Sequence, residues 1–488
     1  MKKAIITGSG IGGIATSIRL QIMGYQVQVF EKNDYPGGKL TQYQMKGYRF
    51  DAGPSLFTLP TLVDELFQLA GKKPEEHFQY QKLDIITKYF YPDGTVINAW
   101  QDPLKFAEEM EAKTEEDKDK ILEWLAKSRD LYGITHHVFL ERSLHRLDTY
   151  FRWPTLLSAL KIHKLDAFRT MATANRQQFA DSRTSQLFDR YATYNGSNPY
   201  EAPATLNIIP HLEHNIGAYF PEKGMHEITM SLVKLAKELG VGFFFGQAVE
   251  KILVDKGKAT GIQVNGQTHE AKIVVSNADV VPTYRYLLSD QPAPEKVLNQ
   301  PRSSSALIFY WGIDREFPEL DLHNIFFSAD YKKEFSKMWE EKTIDDDPTV
   351  YLYISCKRNP EDAPPGGENW FTMINVPSDQ GQVWDHLIEE ARKNIIKKLS
   401  KMLGCEIEKH IVSQHILEPR TIASLTSSHQ GALYGNSSNN RFAAFQRHPN
   451  FHPKIEGLYF CGGSVHPGGG IPLCLLSAKI IADLIAKA

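Results

Sequence analysis

The sequence has no cysteine pair at metal or redox spacing. Cys356, Cys405, Cys461 and Cys474 are scattered through its C-terminal third, so neither a zinc site nor a disulfide framework is indicated, and free thiols in a reducing compartment fit better. Charge of one sign is lacking too. The 55 Lys and Arg stand against 58 Asp and Glu, leaving a net charge of -3, which removes the electrostatic reason to expect a nucleic-acid partner. Nowhere do about 18 apolar residues run uninterrupted, the length a spanning helix needs. Gly8, Gly10, Gly12 and Gly13 break up the N-terminal stretch that imitates an export signal. What remains is ordinary: 42% hydrophobic and 23% charged residues in a chain of 488, a globular composition with material for two or three domains.

The pattern along the chain is α/β. Lys3 to Thr7 reads as a buried strand, Ile11 to Gly24 as a helix ending in glycine, and Gln26 to Phe30 as a second strand. A hairpin over Tyr89 to Trp100 turns at Pro92-Asp93-Gly94, and a helical, charge-rich region follows from about Pro103 to Phe188. The run Glu115 to Lys120 reads as a solvated helix start or loop. A helix at Ile228 to Leu239, a meander over Val249 to Val275, strands near Ala306 to Gly312, Val350 to Ser355 and Phe371 to Val376, and a helix at Trp384 to Leu403 come next. Gly457 to Ala488 repeats the opening arrangement of strand, glycine-rich turn and helix, so the chain leaves its first domain and returns to it. The expected organisation is a Rossmann-like dinucleotide domain built from discontinuous segments (1-88, 205-285 and 418-488), with an α+β substrate domain (89-204 and 286-417).

Gly8-Ser9-Gly10-Ile11-Gly12-Gly13 fits G-x-G-x-x-G between a strand and a helix. Gly8 permits the tight turn, Gly10 lets backbone approach a pyrophosphate, and Gly13 lets the helix pack closely. Glu31 ends the second strand, where a carboxylate accepts hydrogen bonds from ribose hydroxyls. Two details favour FAD over NAD. Pro36-Gly37-Gly38-Lys39 supplies a second loop, with Lys39 to offset phosphate charge. The distant glycine-rich return, Gly457 to Gly470, can seat a ring that extends well beyond the pyrophosphate.

That return, Gly457-Leu458-Tyr459-Phe460-Cys461-Gly462-Gly463-Ser464-Val465-His466-Pro467-Gly468-Gly469-Gly470-Ile471-Pro472, carries a family likeness. With Phe50 to Ser55, Val275 to Asp279 and Gly431, it resembles the bacterial-type carotenoid desaturases related to phytoene desaturase, over nearly the whole length. The segment Arg190 to Tyr200, followed by Ala202-Pro203-Ala204, resembles the branch that acts on hydroxylated carotenoids, the 1-hydroxycarotenoid 3,4-desaturases. The resemblance implies that Ser55, Leu56 and the turn from Gly463 through Ser464 and Gly470 to Ile471 lie along a flavin. It implies that Val249 meets the adenine through its backbone, that Asn277 continues that wall, and that Leu307 and Gly431 approach the ring from the substrate side. Ser464 stands where many flavoproteins place an Asp, so main-chain N–H groups are expected to make the contact there.

Desaturation of this kind removes a hydride and a proton from adjacent carbons, with flavin accepting the hydride. A carotenoid lives in bilayers, so a cytoplasmic protein peripherally bound to a membrane surface is expected. Six basic residues (Arg142, Arg146, Arg152, Lys161, Lys164, Arg169) interleave with Tyr150, Phe151, Trp153, Leu156, Leu157, Leu160 and Leu165 as such a contact or as a helix packed on the core. His136, His137, Glu141, Arg142 and His145 are candidates to meet a substrate hydroxyl or take the proton, with Arg142 preferred. His211-Leu212-Glu213-His214 has a possible metal spacing but no third ligand in register, so it reads as a structural or surface pair, and no metal is assigned. The final electron acceptor is left unnamed. Other readings are a phytoene or lycopene-forming desaturase, a flavin-dependent carotene isomerase, an amine oxidase, and, in a different class, the flavin-free escort protein of prenylated GTPases.

Overall fold

Lys3–Thr7 is short and apolar, and four of its five residues are buried, as in a strand covered on both faces. In the computed structural model, which describes residues 2–151, 155 and 165–487, it is the middle strand of a five-stranded parallel sheet. The order is Leu458–Phe460, Ile273–Ser276, Lys3–Thr7, Gln26–Phe30, Gly242–Phe244. Strands from both ends of the chain therefore lie side by side. Helix Ile11–Ile22 crosses between the first two strands, and the C-terminal helix Ile471–Ala486 and helix His226–Glu238 pack against it. The Rossmann-like α/β core expected from the sequence is present.

A second, seven-stranded sheet runs Ile411–Leu417, Ser305–Ile313, Glu368–Val376, Val350–Ile354, His323–Phe326, Ile85–Phe90, Val96–Trp100. Its pairs are antiparallel except His323–Phe326 with Ile85–Phe90. All nine residues of Ser305–Ile313 are buried, and successive side chains enter different cores. Ala306, Ile308 and Tyr310 join the apolar mass around Phe50 and Phe57. Leu307, Phe309, Trp311 and Ile313 join Trp370 and Trp384 beneath helix Trp384–Leu403.

Helices Pro103–Lys113, Lys118–Phe139, Met171–Gln178 and Ser182–Asp189 form a third layer around Phe106, Trp124, Phe179 and Tyr191. Asp102 starts the first by accepting from the N–H groups of Leu104 and Lys105, both at 2.9 Å, with Pro103 in the first turn.

Three expectations need correction. Strand Ile85–Phe90 straddles the expected domain boundary after residue 88, because its alternation begins before the hairpin turn makes it visible. Residues 205–216 fold as short helical turns against Lys118–Phe139 and so belong with the helical layer. Within the charge run, Asp117 caps a helix as a solvated start should, but Glu116 is buried and accepts from the Asp181 N–H at 2.6 Å. Of the basic and apolar stretch read as a membrane contact, Arg152, Trp153, Leu156, Leu157, Leu160, Lys161 and Lys164 lie outside the described residues.

Candidate active site

The glycines of the opening turn are there for contact as much as for conformation. Gly8 holds φ at +97°, a region other residues seldom adopt, and its N–H donates to Phe30 O at 2.7 Å. A Cβ on Gly10 would lie 2.7 Å from Asn277 Oδ1, and one on Gly13 would lie 2.4 Å from Gly8 O. Gly13 thus sets the distance between helix and strand. Glu31 is buried at the end of the next strand: Oε2 accepts from Ser9 N at 2.7 Å and Ser9 Oγ at 2.9 Å, and Oε1 from Asn33 N at 3.0 Å. Carboxylate oxygens have about four acceptor sites between them, so capacity remains for a ligand hydroxyl.

The C-terminal return meets this turn. Asn277 Nδ2 donates to Cys461 O at 3.3 Å, and Ser464 Oγ accepts from Val280 N at 2.9 Å, which leaves the Ser464 hydroxyl as a brace for the turn. Gly470 has φ +108°, and a Cβ there would meet nothing within 4 Å. Ile471 then opens the C-terminal helix. The first turns of this helix and of Ile11–Ile22 both border one cavity of about 1130 Å³, offering N–H groups and the positive ends of two helix dipoles to an anion. That is just above the usual range of a small-molecule pocket, about 300–1,000 Å³, and suits a ligand as long as a dinucleotide.

Gly8, Gly10, Ile11, Gly12, Glu31, Lys39, Ser55, Leu56, Val249, Asn277, Gly463, Ser464, Gly470 and Ile471 all border that cavity. Lys39 does so as a half-buried cation whose Nζ donates to Ala432 O at 3.2 Å and Leu433 O at 2.8 Å, and desolvation pushes its pKa down. Two bare helix N-termini, a trough that side chains would fill, and a buried carboxylate beyond it fit the pyrophosphate and ribose of FAD.

Four expected site residues lie outside the cavity lining, Gly13 among them, whose close contact is with Gly8 O. Leu307 points into the core on the far face of its strand, and its neighbours Ala306 and Ile308 border the cavity instead. Gly431 sits behind the wall, where a Cβ would be 2.3 Å from Pro419 O and its carbonyl accepts from Ser305 Oγ at 2.6 Å. Arg142 is outside the cavity lining, and its carbonyl accepts from His466 Nε2 at 2.7 Å. Helix Lys118–Phe139 turns Tyr132, Thr135 and Phe139 to the cavity, while His136, His137, Glu141 and His145 do not border it.

Other polar groups occupy the place that Arg142 was expected to fill. Arg190 borders the cavity, 5% exposed, and its Cζ lies 5.1 Å from the Tyr89 ring and 4.8 Å from those of Tyr191 and Tyr194. Its guanidinium donates to Tyr194 OH at 2.9 Å and Tyr89 OH at 2.5 Å and faces the buried Glu213 at 3.8 Å. Glu213 also accepts from Tyr191 OH at 2.8 Å and from Tyr194 OH. The His211–His214 segment therefore serves this network: His214 Nε2 is 3.0 Å from Tyr191 OH, and burial pushes its pKa down to about 3. Nearby, Ser55 Oγ is 2.7 Å from Tyr351 OH, which is 2.8 Å from His323 Nδ1. The spacing of Arg190, Tyr191 and Tyr194 was a usable signal for the network; His323 had none.

The fold and the glycine-lined trough define a flavin-dependent oxidoreductase. Residues 11–486 match the family model described as flavin containing amine oxidoreductase, and the chain belongs to that family, among its carotenoid desaturases. It is 52% identical over 485 residues to 1-hydroxycarotenoid 3,4-desaturase of Flavobacterium sp. (strain P99-3), covering 99% of each chain. It is 30% identical over 489 residues to 4,4'-diaponeurosporene oxygenase of Staphylococcus haemolyticus (strain JCSC1435), covering 99% of this chain and 97% of that one. Among solved structures, a triple mutant of putrescine oxidase aligns with a TM-score of 0.65 at 12% identity, covering 100% of this chain and 99% of that one, a likeness of fold alone.

The cradle makes one direct prediction. Glu31→Ala removes a hydrogen bond to a charged group, worth about 1.5–3 kcal/mol, so FAD retention is expected to weaken about tenfold or more. Flavin fluorescence in the filtrate after dialysis measures it, and unchanged occupancy would argue that the ribose is held elsewhere.

Proposed function

We propose that this chain is an FAD-dependent desaturase that introduces a C=C double bond near the end of a 1-hydroxylated, acyclic or monocyclic carotenoid. The observation that carries the reading is the full-length identity of 52% to a 1-hydroxycarotenoid 3,4-desaturase, and a cavity that continues past the nucleotide trough supports it. FAD, when bound, supplies the acceptor for the hydride. The chain's own task is to hold a long apolar molecule in register and keep water out. Tyr132, Phe139, Leu206, Ile208, Ile209 and Leu212 border the cavity beyond the trough and suit a polyene.

No helix among the described residues is long and apolar enough to cross a membrane. The cavity is bordered by Phe168, 90% exposed, and Phe442, 53% exposed, with the Arg441 guanidinium 5.6 Å and 5.1 Å from their rings. Aromatic rings with an adjacent cation suit a headgroup boundary, and we place the peripheral membrane contact and the substrate entrance there. The expected result of feeding phytoene, lycopene and a 1-hydroxylated carotene separately is a red shift of the absorption bands for the hydroxylated substrate. Conversion of phytoene with the hydroxylated carotene untouched would replace this reading by the phytoene-desaturase one.

A further inference from the structure

We infer that Arg190 and His323 together receive the substrate's tertiary hydroxyl and so select for hydroxylated ends; this rests on the function proposed above. Both border the cavity, with relative exposures of 5% and 2%. Each carries a buried nitrogen with no hydrogen-bond partner among the described residues, Arg190 Nε and His323 Nε2. Buried polar groups are normally paired, and an alcohol is the simplest group able to serve both, since its oxygen accepts and its proton donates. Arg190 Nε can only donate. His323 Nε2 accepts in the tautomer whose Nδ1–H donates to Tyr351 OH, at 2.8 Å. Burial, and then the charges of Arg358 and Arg190, push the His323 pKa down to about 3, so the ring is neutral near pH 7 and able to take that role.

The placement also suits the reaction. In a 1-hydroxy 3,4-desaturation the bond oxidised begins two carbons from the carbinol carbon, so the receptor for the hydroxyl has to stand close to the ring. Ser55, on the loop assigned to the flavin, reaches His323 through a single residue, Tyr351. The cavity is also bordered by the exposed rings of Phe168 and Phe442, where the apolar tail can trail once the hydroxyl is seated.

The test compares wild-type, His323→Phe and His323→Gln holoenzymes on a 1-hydroxylated carotene and on the same polyene without the hydroxyl. Loss of a hydrogen bond from a buried polar pair predicts that wild type favours the hydroxylated substrate about tenfold or more in kcat/KM. His323→Phe is expected to bring that ratio near one by losing activity on the hydroxylated substrate alone, and His323→Gln, which keeps an acceptor, to restore part of it. A wild-type ratio preserved in His323→Phe overturns the inference. A wild type inert on the hydroxylated carotene overturns the proposed function itself, and this inference with it. Should both variants fail to fold, wild type still decides: a short tertiary alcohol is expected to inhibit about tenfold more strongly than its parent alkene, and equal inhibition counts against the assignment.

Discussion

Gly10→Val is expected to yield a folded, colourless protein. The new Cβ would sit 2.7 Å from Asn277 Oδ1, and Asn277 is tethered on its other atom to Cys461 O, so the side chain has little room to yield. The valine methyls extend beyond that point into the trough between the two helix N-termini. Overpacking of this kind opposes binding by about 1–3 kcal/mol before any displaced phosphate contact is counted, and 3 kcal/mol is over a hundredfold in Kd. Flavin released by heat from desalted protein measures the effect, with far-ultraviolet circular dichroism showing the fold retained. Gly13→Ala is the informative companion. Its Cβ would meet main chain, Gly8 O at 2.4 Å, which cannot swing aside, so that variant should lower the thermal midpoint even without flavin. Full flavin occupancy in Gly10→Val would mean the turn does not hold the dinucleotide.

Arg190→Met is expected to destabilise the holoenzyme by about 3–5 kcal/mol, the range found when one partner of a buried ion pair is removed. Glu213 is fully buried, and Arg190 is the cation that faces it, at 3.8 Å. Without it, the tyrosine hydroxyls that remain are too few to replace hydration of a carboxylate. Adding Glu213→Gln in the same chain removes the stranded charge, and most of the lost thermal stability should return. If the double variant melts no higher than the single one, Arg190 is not what keeps Glu213 folded into the interior, and the network is held by its tyrosines alone.

The parts of this architecture that were legible in the sequence are those whose cause is local. A strand, a glycine turn and a helix occupy Lys3 to Ile22, and Gly13 is required there by an atom five residues away, Gly8 O. The C-terminal return was readable because its glycines repeat the same pattern. Leu307 shows the limit. Ser305–Ile313 is apolar on both faces, so nothing in its composition tells which parity meets the cavity, and a one-residue difference reverses every assignment. Arg142 failed for a related reason: the helix before it presents Tyr132, Thr135 and Phe139 inward and turns His136 and His137 elsewhere. Glu116 hid in a charge run because its partner, the Asp181 N–H, is supplied by another helix. His323 is the extreme case, since its hydrogen-bond partner Tyr351 arrives from the neighbouring antiparallel strand and no motif surrounds it.

The parallel pairing of Ile273–Ser276 with Leu458–Phe460, and the packing of the closing helix on Ile11–Ile22, have a consequence for biosynthesis. While the ribosome is still making the chain, residues 1 to 450 can assemble four of the five strands, yet the second helix terminus bordering the trough has not been translated. Cofactor capture therefore waits on translation of the helix that opens at Ile471, and a message broken short of that residue would yield a product that cannot become yellow.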